Sequence, residues 1–439
     1  MSKIEVNAIE PQSGTTLTLG ASGDTVALAA GALQSGFGRS GSVNWDTTKK
    51  TANFTAVSGN GYFVDTNTTA ITVTLPSTPA AGDIVAIADY ANTSATNNIT
   101  VGRNGVNIDG EAKNAIIFVN GQVYTLVYVD ATEGWKTVGQ TFNQITLPAF
   151  VAATGGTVTC CGDYKIHTFT GPGTFTVTSA GNPGGSSTVD YLVVAGGGSG
   201  GNNGPGSGNG AGGGAGGFRE SKATGAPWTA SPLASSTSLP VSVTGYPITI
   251  GAGATGNPSH TSGSSSGTAG NPSTFSTITS ASGGFGTGNG TATGGSGGSG
   301  GGGSTTAGSG NTPPVAPPQG NPGGGGSGAG GGATSAGSAT PGPGNGGAGA
   351  GTGINPSPSY GTPGPSAPLR YFAGGGGAYF SSSYPNGGIG GGGTGNPSPP
   401  QITSGTTNTG SGGGGNGCGS SGTSGAGGSG IVVIRYKFQ

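Results

Sequence analysis

Val189-Asp-Tyr-Leu-Val-Val194 runs directly into Ala195-Gly-Gly-Gly-Ser-Gly-Gly201, and the far end of the same region closes on Gly430-Ile-Val-Val-Ile-Arg-Tyr-Lys-Phe438. Between these apolar brackets, from Gly196 to Gly430, lie 80 of the chain's 104 glycines, and no Asp or Glu follows Glu220. Collagen needs glycine at every third position, whereas the glycines here are adjacent and irregularly spaced, so a collagen helix is excluded. A disordered linker lacks apolar runs, yet the two brackets read as buried strands. Disorder of the longest glycine runs is the competing reading. The packed alternative is a set of polyproline-II-like rods, which turn every three residues and make no internal hydrogen bonds. Their N–H and C=O groups then face neighbouring rods, and only glycine lets backbones approach so closely. Asn-Pro recurs at Asn182, Asn257, Asn271, Asn321, Asn355 and Asn396, where turns are expected between rods.

The run Tyr164-Lys-Ile-His-Thr-Phe-Thr-Gly-Pro-Gly-Thr-Phe-Thr-Val177 is followed in order by YLVVAGGGSGG, AGGGAGGF, YPITIGAGA, NPSTFSTI and GSGIVVIRY. From about Tyr164 to Gln439 this resembles the glycine-rich domain at the ends of bacteriophage tail fibres. The resemblance implies a sandwich of polyglycine-II helices, framed by strands, whose distal loops touch a host receptor. The Pro-rich insert Thr312 to Pro318 and the loop from Tyr360 to Asn386 lie outside the shared pattern, so specificity is expected in them. The front half, beginning MSKIEVNAIEPQSGTTLTLG, is similar to fibre proteins of marine phages, particularly those infecting cyanobacteria.

Organisation along the chain falls into four parts. Residues 1–36 carry short alternating pieces, Ile4-Glu5-Val6 and Leu17-Thr18-Leu19, too short to bury a face alone, and read as an attachment segment that packs on a symmetric copy or a partner. Residues 37–142 read as a small all-β sandwich or barrel. Its expected strands are Thr51 to Val57, Tyr62 to Val64, Ala70 to Leu75, Asp83 to Ala88, Asn98 to Val101, Ala115 to Val119, Val123 to Val129 and Trp135 to Val138. Residues 143–163 show little strand pattern and read as a linker, and 164–439 form the glycine-rich domain. No segment has sustained helical periodicity, so the fold class is all-β.

Composition narrows the function. With 31% hydrophobic and 7% aromatic residues, a large conventional core is not expected. A net charge of -1 with 6% charged residues provides no basic face for nucleic acid. There is no apolar run long enough to span a membrane as a helix and no signal-peptide core, so a product made in the host cytoplasm and released with virions at lysis is expected. Cys160, Cys161 and Cys418 form neither a metal pattern nor a disulfide framework, and free thiols are expected.

Motifs for chemistry fall away. Gly36-Phe-Gly-Arg-Ser-Gly41 matches a dinucleotide fingerprint in letters, but no helix pattern follows it. His167 and His260 lie far apart, and His167 alternates with Phe169 as a structural strand residue does. Asp109 and Glu111 flank an Asp-Gly turn and read as solvated. No enzyme, metal or cofactor is expected. What remains is recognition. Arg370 is the only formally charged residue between Ala223 and Ile434, and Tyr360, Tyr371, Phe372, Tyr379, Phe380 and Tyr384 cluster around it. Flat rings stack on sugar C–H faces and a guanidinium offers a fork of donors, so these residues, with Trp228 in its own loop, are the candidate receptor contacts; the same side chains could instead pack against the rods. With the resemblance, the expected function is a structural tail-fibre protein, commonly a homotrimer. It would attach to tail or baseplate proteins through residues 1–36 and bind a host glycan or outer-membrane protein. A capsid head fibre or decoration protein and an ice-binding polyglycine protein are the alternatives.

Overall fold

The computed structural model describes residues 43–138, 148–203, 208–258, 263–288, 290, 293–342, 344–379, 385–395, 402–417 and 422–439. The attachment segment 1–36, the fingerprint Gly36 to Gly41, and His260, Phe380, Tyr384, Asn396 and Cys418 lie outside the described residues. Every regular element among the described residues is a strand.

The first domain holds β1 (Asn44–Lys50), β2 (Phe54–Thr55), β3 (Asn60–Val64), β4 (Ile71–Thr74), β5 (Ile84–Asp89), β6 (Ile99–Gly102), β7 (Ala115–Ile117), β8 (Val123–Asp130) and β9 (Gly134–Val138). They form two open sheets, β1-β3-β5-β8-β9 and β2-β4-β6-β7, a sandwich and not a barrel. The first six strands alternate between the sheets and pair in parallel within each, so the chain climbs as a two-sided coil before β7, β8 and β9 close it with antiparallel pairs. Between the sheets pack Val64, Ile71, Val73, Leu75, Val85, Ile87, Ile99, Val101, Leu126 and Trp135, all buried. The expected strands recur with ends shifted by one or two residues, except that Thr51 to Val57 shrinks to β2 and β1 was not foreseen. β1 is mostly exposed and has no apolar alternation; its register comes from backbone pairing with β3. Asp109 and Gly110 take positive φ at a turn, with Lys136 3.5 Å from Asp109, as a solvated turn requires.

In the second domain one sheet orders β10 (Val151–Thr154), β13 (Gly173–Ala180), β19 (Gly245–Thr249), β21 (Ser273–Phe275) and β22 (Ile278–Ser280). The other orders β11 (Thr157–Cys161), β12 (Tyr164–Phe169), β25 (Ile431–Lys437), β14 (Thr188–Val194), β16 (Phe218–Ser221) and β17 (Ala234–Ser235), with β18 (Leu239–Pro240) beside β14. The stretch 143–163 expected as a linker is corrected in its described part: β10 and β11 are sheet strands, β10 only four residues long and β11 largely solvent-facing, which is why their pattern is weak. The two apolar brackets pair with each other, Leu192 opposite Val433. One face of this pair, with Tyr191, Val193, Val432 and Ile434, packs on Phe175 and Phe275 of the first sheet. The other, with Leu192, Val194, Ile431 and Val433, packs on Phe218, Trp228 and Phe372. Burial on both faces makes the brackets continuously apolar.

Between these brackets the chain is a lattice of rods. In residues 211–217 the backbone N–H groups of Ala211, Gly214 and Gly217 donate to Thr287, Gly284 and Ala281; those of Gly212 and Ala215 to Gly328 and Gly331; those of Gly213 and Gly216 to Gly413 and Gly410. All seven bonds measure 2.7–3.1 Å. Each neighbour is met every third residue, the repeat of a helix with three residues per turn and no internal bonds. The carbonyls of Ala211, Gly214 and Gly217 accept from Gly201, Gly198 and Ala195, those of Gly212 and Ala215 from Gly302 and Ser299, and that of Gly213 from Gly376. The rod therefore donates to three neighbours and accepts from three others, so it is surrounded on six sides.

Away from the sheets, β15 (Asn202–Asn203) pairs with β20 (Ser264–Ser265) where side chains replace the missing rod contacts. The Asn202 amide donates to the carbonyls of Asn257, Pro258 and Gly422 at 2.9–3.2 Å, and Asn416 donates to Asn202 Oδ1 at 3.1 Å. Nearer the sheets, β23 (Ala350–Thr352) pairs with β24 (Arg370–Phe372). A Cβ added to Gly213 would lie 2.2 Å from Gly198 O, and one added to Gly214 2.4 Å from Ser299 O, both backbone atoms that cannot swing aside. Gly214→Ala should therefore cost about 3 kcal/mol or more in urea unfolding of the full chain. Gly171→Ala, where an added Cβ meets nothing within 4 Å, should change stability little.

Candidate functional site

Arg370, the isolated charge, is tied to its own loop. Its Nε donates to Tyr360 O at 2.8 Å, and its Nη2 to Pro358 O at 2.9 Å and Gly361 O at 2.7 Å. Tyr371 lies between Gly351 and Gly364, where an added Cβ would come within 2.6 and 2.3 Å of its ring. Trp228 and Phe372, expected as loop contacts, are instead buried together in one apolar cluster, with the half-buried Tyr360 packed at its edge. Tyr379 is also buried, at the other end of the rods beside Gly417. The physical reason is common to all three buried rings: a lattice of glycine backbones has few apolar side chains, so nearby aromatics are drawn in to seal its ends. The structure thus brings Trp228 together with Tyr360, Arg370, Tyr371 and Phe372 at the sheet end and leaves Tyr379 apart.

Beneath those loops sits a polar cluster not anticipated as a site. In register across β25, β14 and β12, Arg435 stands opposite Asp190 on one side and Ile166 on the other. Alternation places Arg435 on the face that carries Leu192 and Val433, where it is only 3% exposed. Its guanidinium lies 4.8 Å from the Tyr164 ring and 5.8 Å from the Trp228 ring. Nη1 donates to Gly353 O at 3.2 Å and Ile354 O at 3.1 Å, while Nε has no partner. Burial lowers its pKa from the ordinary value, against the opposing pull of Cys161, Tyr164 and Asp190.

Two carboxylates hold the segment that covers the sheet. Asp190 accepts from the Ala223 N–H at 2.8 Å and the Ser238 hydroxyl at 2.5 Å. Burial raises its pKa above the usual carboxylate value; the indole N–H of Trp228 favours the charged form without reaching hydrogen-bond geometry. Glu220, opposite Leu192 on β16, accepts from the Ser231 N–H at 2.9 Å and from the Thr352 hydroxyl. Burial pushes its pKa up to about 7, with those hydrogen bonds opposing. Two open cavities flank Arg435 and share its side chain and Tyr164. One, of about 470 Å³, runs along Ser186 to Thr188 and Thr224; the other, of about 500 Å³, lies between Trp228, Pro356 and Leu369.

His167 is buried and structural. Its Nδ1 lies 2.7 Å from Gly155 O, so that nitrogen carries the proton; Nε2 accepts from the Tyr436 hydroxyl at 3.0 Å, which in turn accepts from the Ala153 N–H. Cys160 and Cys161 are free thiols, and among the described residues no group of three His, Cys, Asp or Glu gathers as metal ligands. The missed signal was the charge inside each apolar bracket, Asp190 in VDYLVV and Arg435 in IVVIRY.

Glu220 has a testable pH signature. Its folded pKa stands above the unfolded value, so its contribution to stability is complete below about pH 4.5 and is lost as pH rises toward about 7. Between those limits the loss is on the order of 3 kcal/mol. Glu220→Gln should remove this part of the slope, so that thermal unfolding shows the variant gaining on the parent chain as pH rises from 4.5 to 7. An unchanged difference across that range would show that the carboxyl is not held in its neutral form.

Residues 167–437, well over half of the chain, match the model of a family described as glycine-rich domain. No curated protein matches the sequence. Strands, rods and the polar cluster from His167 to Lys437 all fall within that match, and the chain belongs to the glycine-rich domain family.

Proposed function

We propose that this protein is a structural tail-fibre protein of a bacteriophage, fixed to the virion by its N-terminal part and binding a host-surface glycan or outer-membrane protein through loops of its glycine-rich domain. The observation that carries the reading is the end of the rods away from the sheets, where Asn202, Asn257, Ser265 and Asn416 gather at the rod tips. Their neighbourhood is held together by backbone contacts, Asn203 N–H to Asn416 O and Tyr379 N–H to Gly210 O among them. Phe380 and Tyr384, candidates for contact, follow Tyr379 in the sequence connection to Pro385. A lattice that spends its backbone hydrogen bonds internally is a stiff mount for such connections, and stiffness lowers the entropy cost of binding. The resemblance of the quoted motifs to tail-fibre ends supports the same reading.

Capture in this reading is multivalent: a homotrimer, and several fibres on one particle, raise the effective concentration of weakly binding loops. Purified full-length protein should run as a trimer by light scattering, coat cells of the phage's host and slow adsorption of the phage to them. Exchanging residues 380–384 for those of a related chain should shift which cells are coated without changing the melting temperature. A protein that neither coats cells nor competes with the phage overturns the reading.

A further inference from the structure

The smaller cavity beside Arg435 lies at the sheet end of the rods, where Val194 leads into the first rod and Phe218 leaves the second, away from the Asn202 and Asn416 tips. Arg435 and Lys437 alternate onto one face of β25, and both line the cavity. Among the described residues neither cation has a carboxylate within ion-pair distance; Lys437 Nζ lies 5.8 Å from the centre of the Phe150 ring, and Arg435 Nε is buried without an acceptor. The one carboxylate in the wall, Asp190, is already occupied by Ala223 and Ser238. The cavity therefore carries two cations against one committed acid.

The remaining wall suits a polyhydroxylated ligand. Ser187, Thr188 and Thr224 line it with side-chain hydroxyls that make no hydrogen bond among the described residues, while Tyr164 and Pro183 offer apolar surface to a C–H face. At about 470 Å³ it falls within the range of roughly 300–1,000 Å³ typical of small-molecule sites. We propose that this cleft binds an acidic sugar, a hexuronate unit whose carboxylate sits between Arg435 and Lys437 and whose hydroxyls meet Ser187, Thr188 and Thr224. A guanidinium and an ammonium on one wall favour an anion, and the three hydroxyls favour a sugar over a bare one. The site goes beyond the receptor reading, which places contact at the opposite end of the rods.

Titration of the full chain with D-glucuronate, D-glucose and inorganic phosphate, followed by calorimetry and by Trp228 fluorescence, tests it. Glucuronate should bind saturably, with glucose and phosphate each at least about tenfold weaker, the factor expected from losing one charge-assisted hydrogen bond. Lys437→Gln, at a partly exposed position, should weaken glucuronate about tenfold while leaving the melting temperature unchanged, and Lys437→Arg should retain binding. Absence of saturable glucuronate binding, equal binding of glucose or phosphate, or an unchanged affinity in Lys437→Gln each overturns the proposal. Exchange of residues 380–384 should leave glucuronate binding intact, so failure of this site and failure of the receptor loops are read separately.

Discussion

Everything in the second domain depends on one distance: the separation at which the N–H of one glycine rod reaches the carbonyl of the next. At 2.7–3.1 Å from nitrogen to oxygen, the space between rods has no room for a Cβ, which at Gly213 would fall 2.2 Å from a carbonyl oxygen. Glycine is there for its absence of a side chain, and the chain bears the corresponding entropy cost, since each glycine gives up more freedom on folding than any other residue. A hydrogen bond contributes only about 1 kcal/mol net. A rod enclosed on all sides gains these bonds along its full length, whereas a lone rod has none, so order appears only when many rods assemble together.

The sheet with two buried faces supplies what the lattice lacks. β14 and β25 hold the ends of the glycine region side by side, and their apolar side chains form cores above and below. The same sheet keeps Arg435, Asp190 and Glu220 out of water, a costly arrangement unless their hydrogen bonds are met. Asp190 and Glu220 meet theirs by anchoring the segment from Ala223 to Ser238, so the charged groups act as pins for the cover of the core. Arg435 keeps an unmet donor at Nε, as the neighbouring Trp228 does at its indole N–H.

How much was legible in the sequence followed from how local each signal is. The apolar brackets, the alternation in β3 through β9 and the exclusion of collagen all rest on residues close together, and the all-β class follows from them. β11 escaped notice because a solvent-facing strand has no apolar period to read, and β1 for the same reason; β10, four residues long, is too short for a period to show. The Asn-Pro turns were visible, but not that Asn321 would donate to Gly332 and Ala333 or Asn355 to Thr168. The isolation of Arg370 is plain in the sequence; its use as a clip for the carbonyls of Pro358, Tyr360 and Gly361 is not, because carbonyls leave no trace in composition. The Arg435 cluster joins positions hundreds of residues apart, and only strand register brings them together.

The threefold repeat of the rods also imposes something like a reading frame. Gly212 and Ala215 answer to one neighbour, Gly213 and Gly216 to a second, Gly214 and Gly217 to a third. Removing a single residue inside a rod would turn every later donor by a third of a revolution, toward the wrong partner. A change of three residues would shift the rod along its axis and keep each donor aimed. Length variation in such a chain is thus confined to triplets within rods or to the connections between them, so the same geometry that makes the interior unyielding leaves the connections free to diverge.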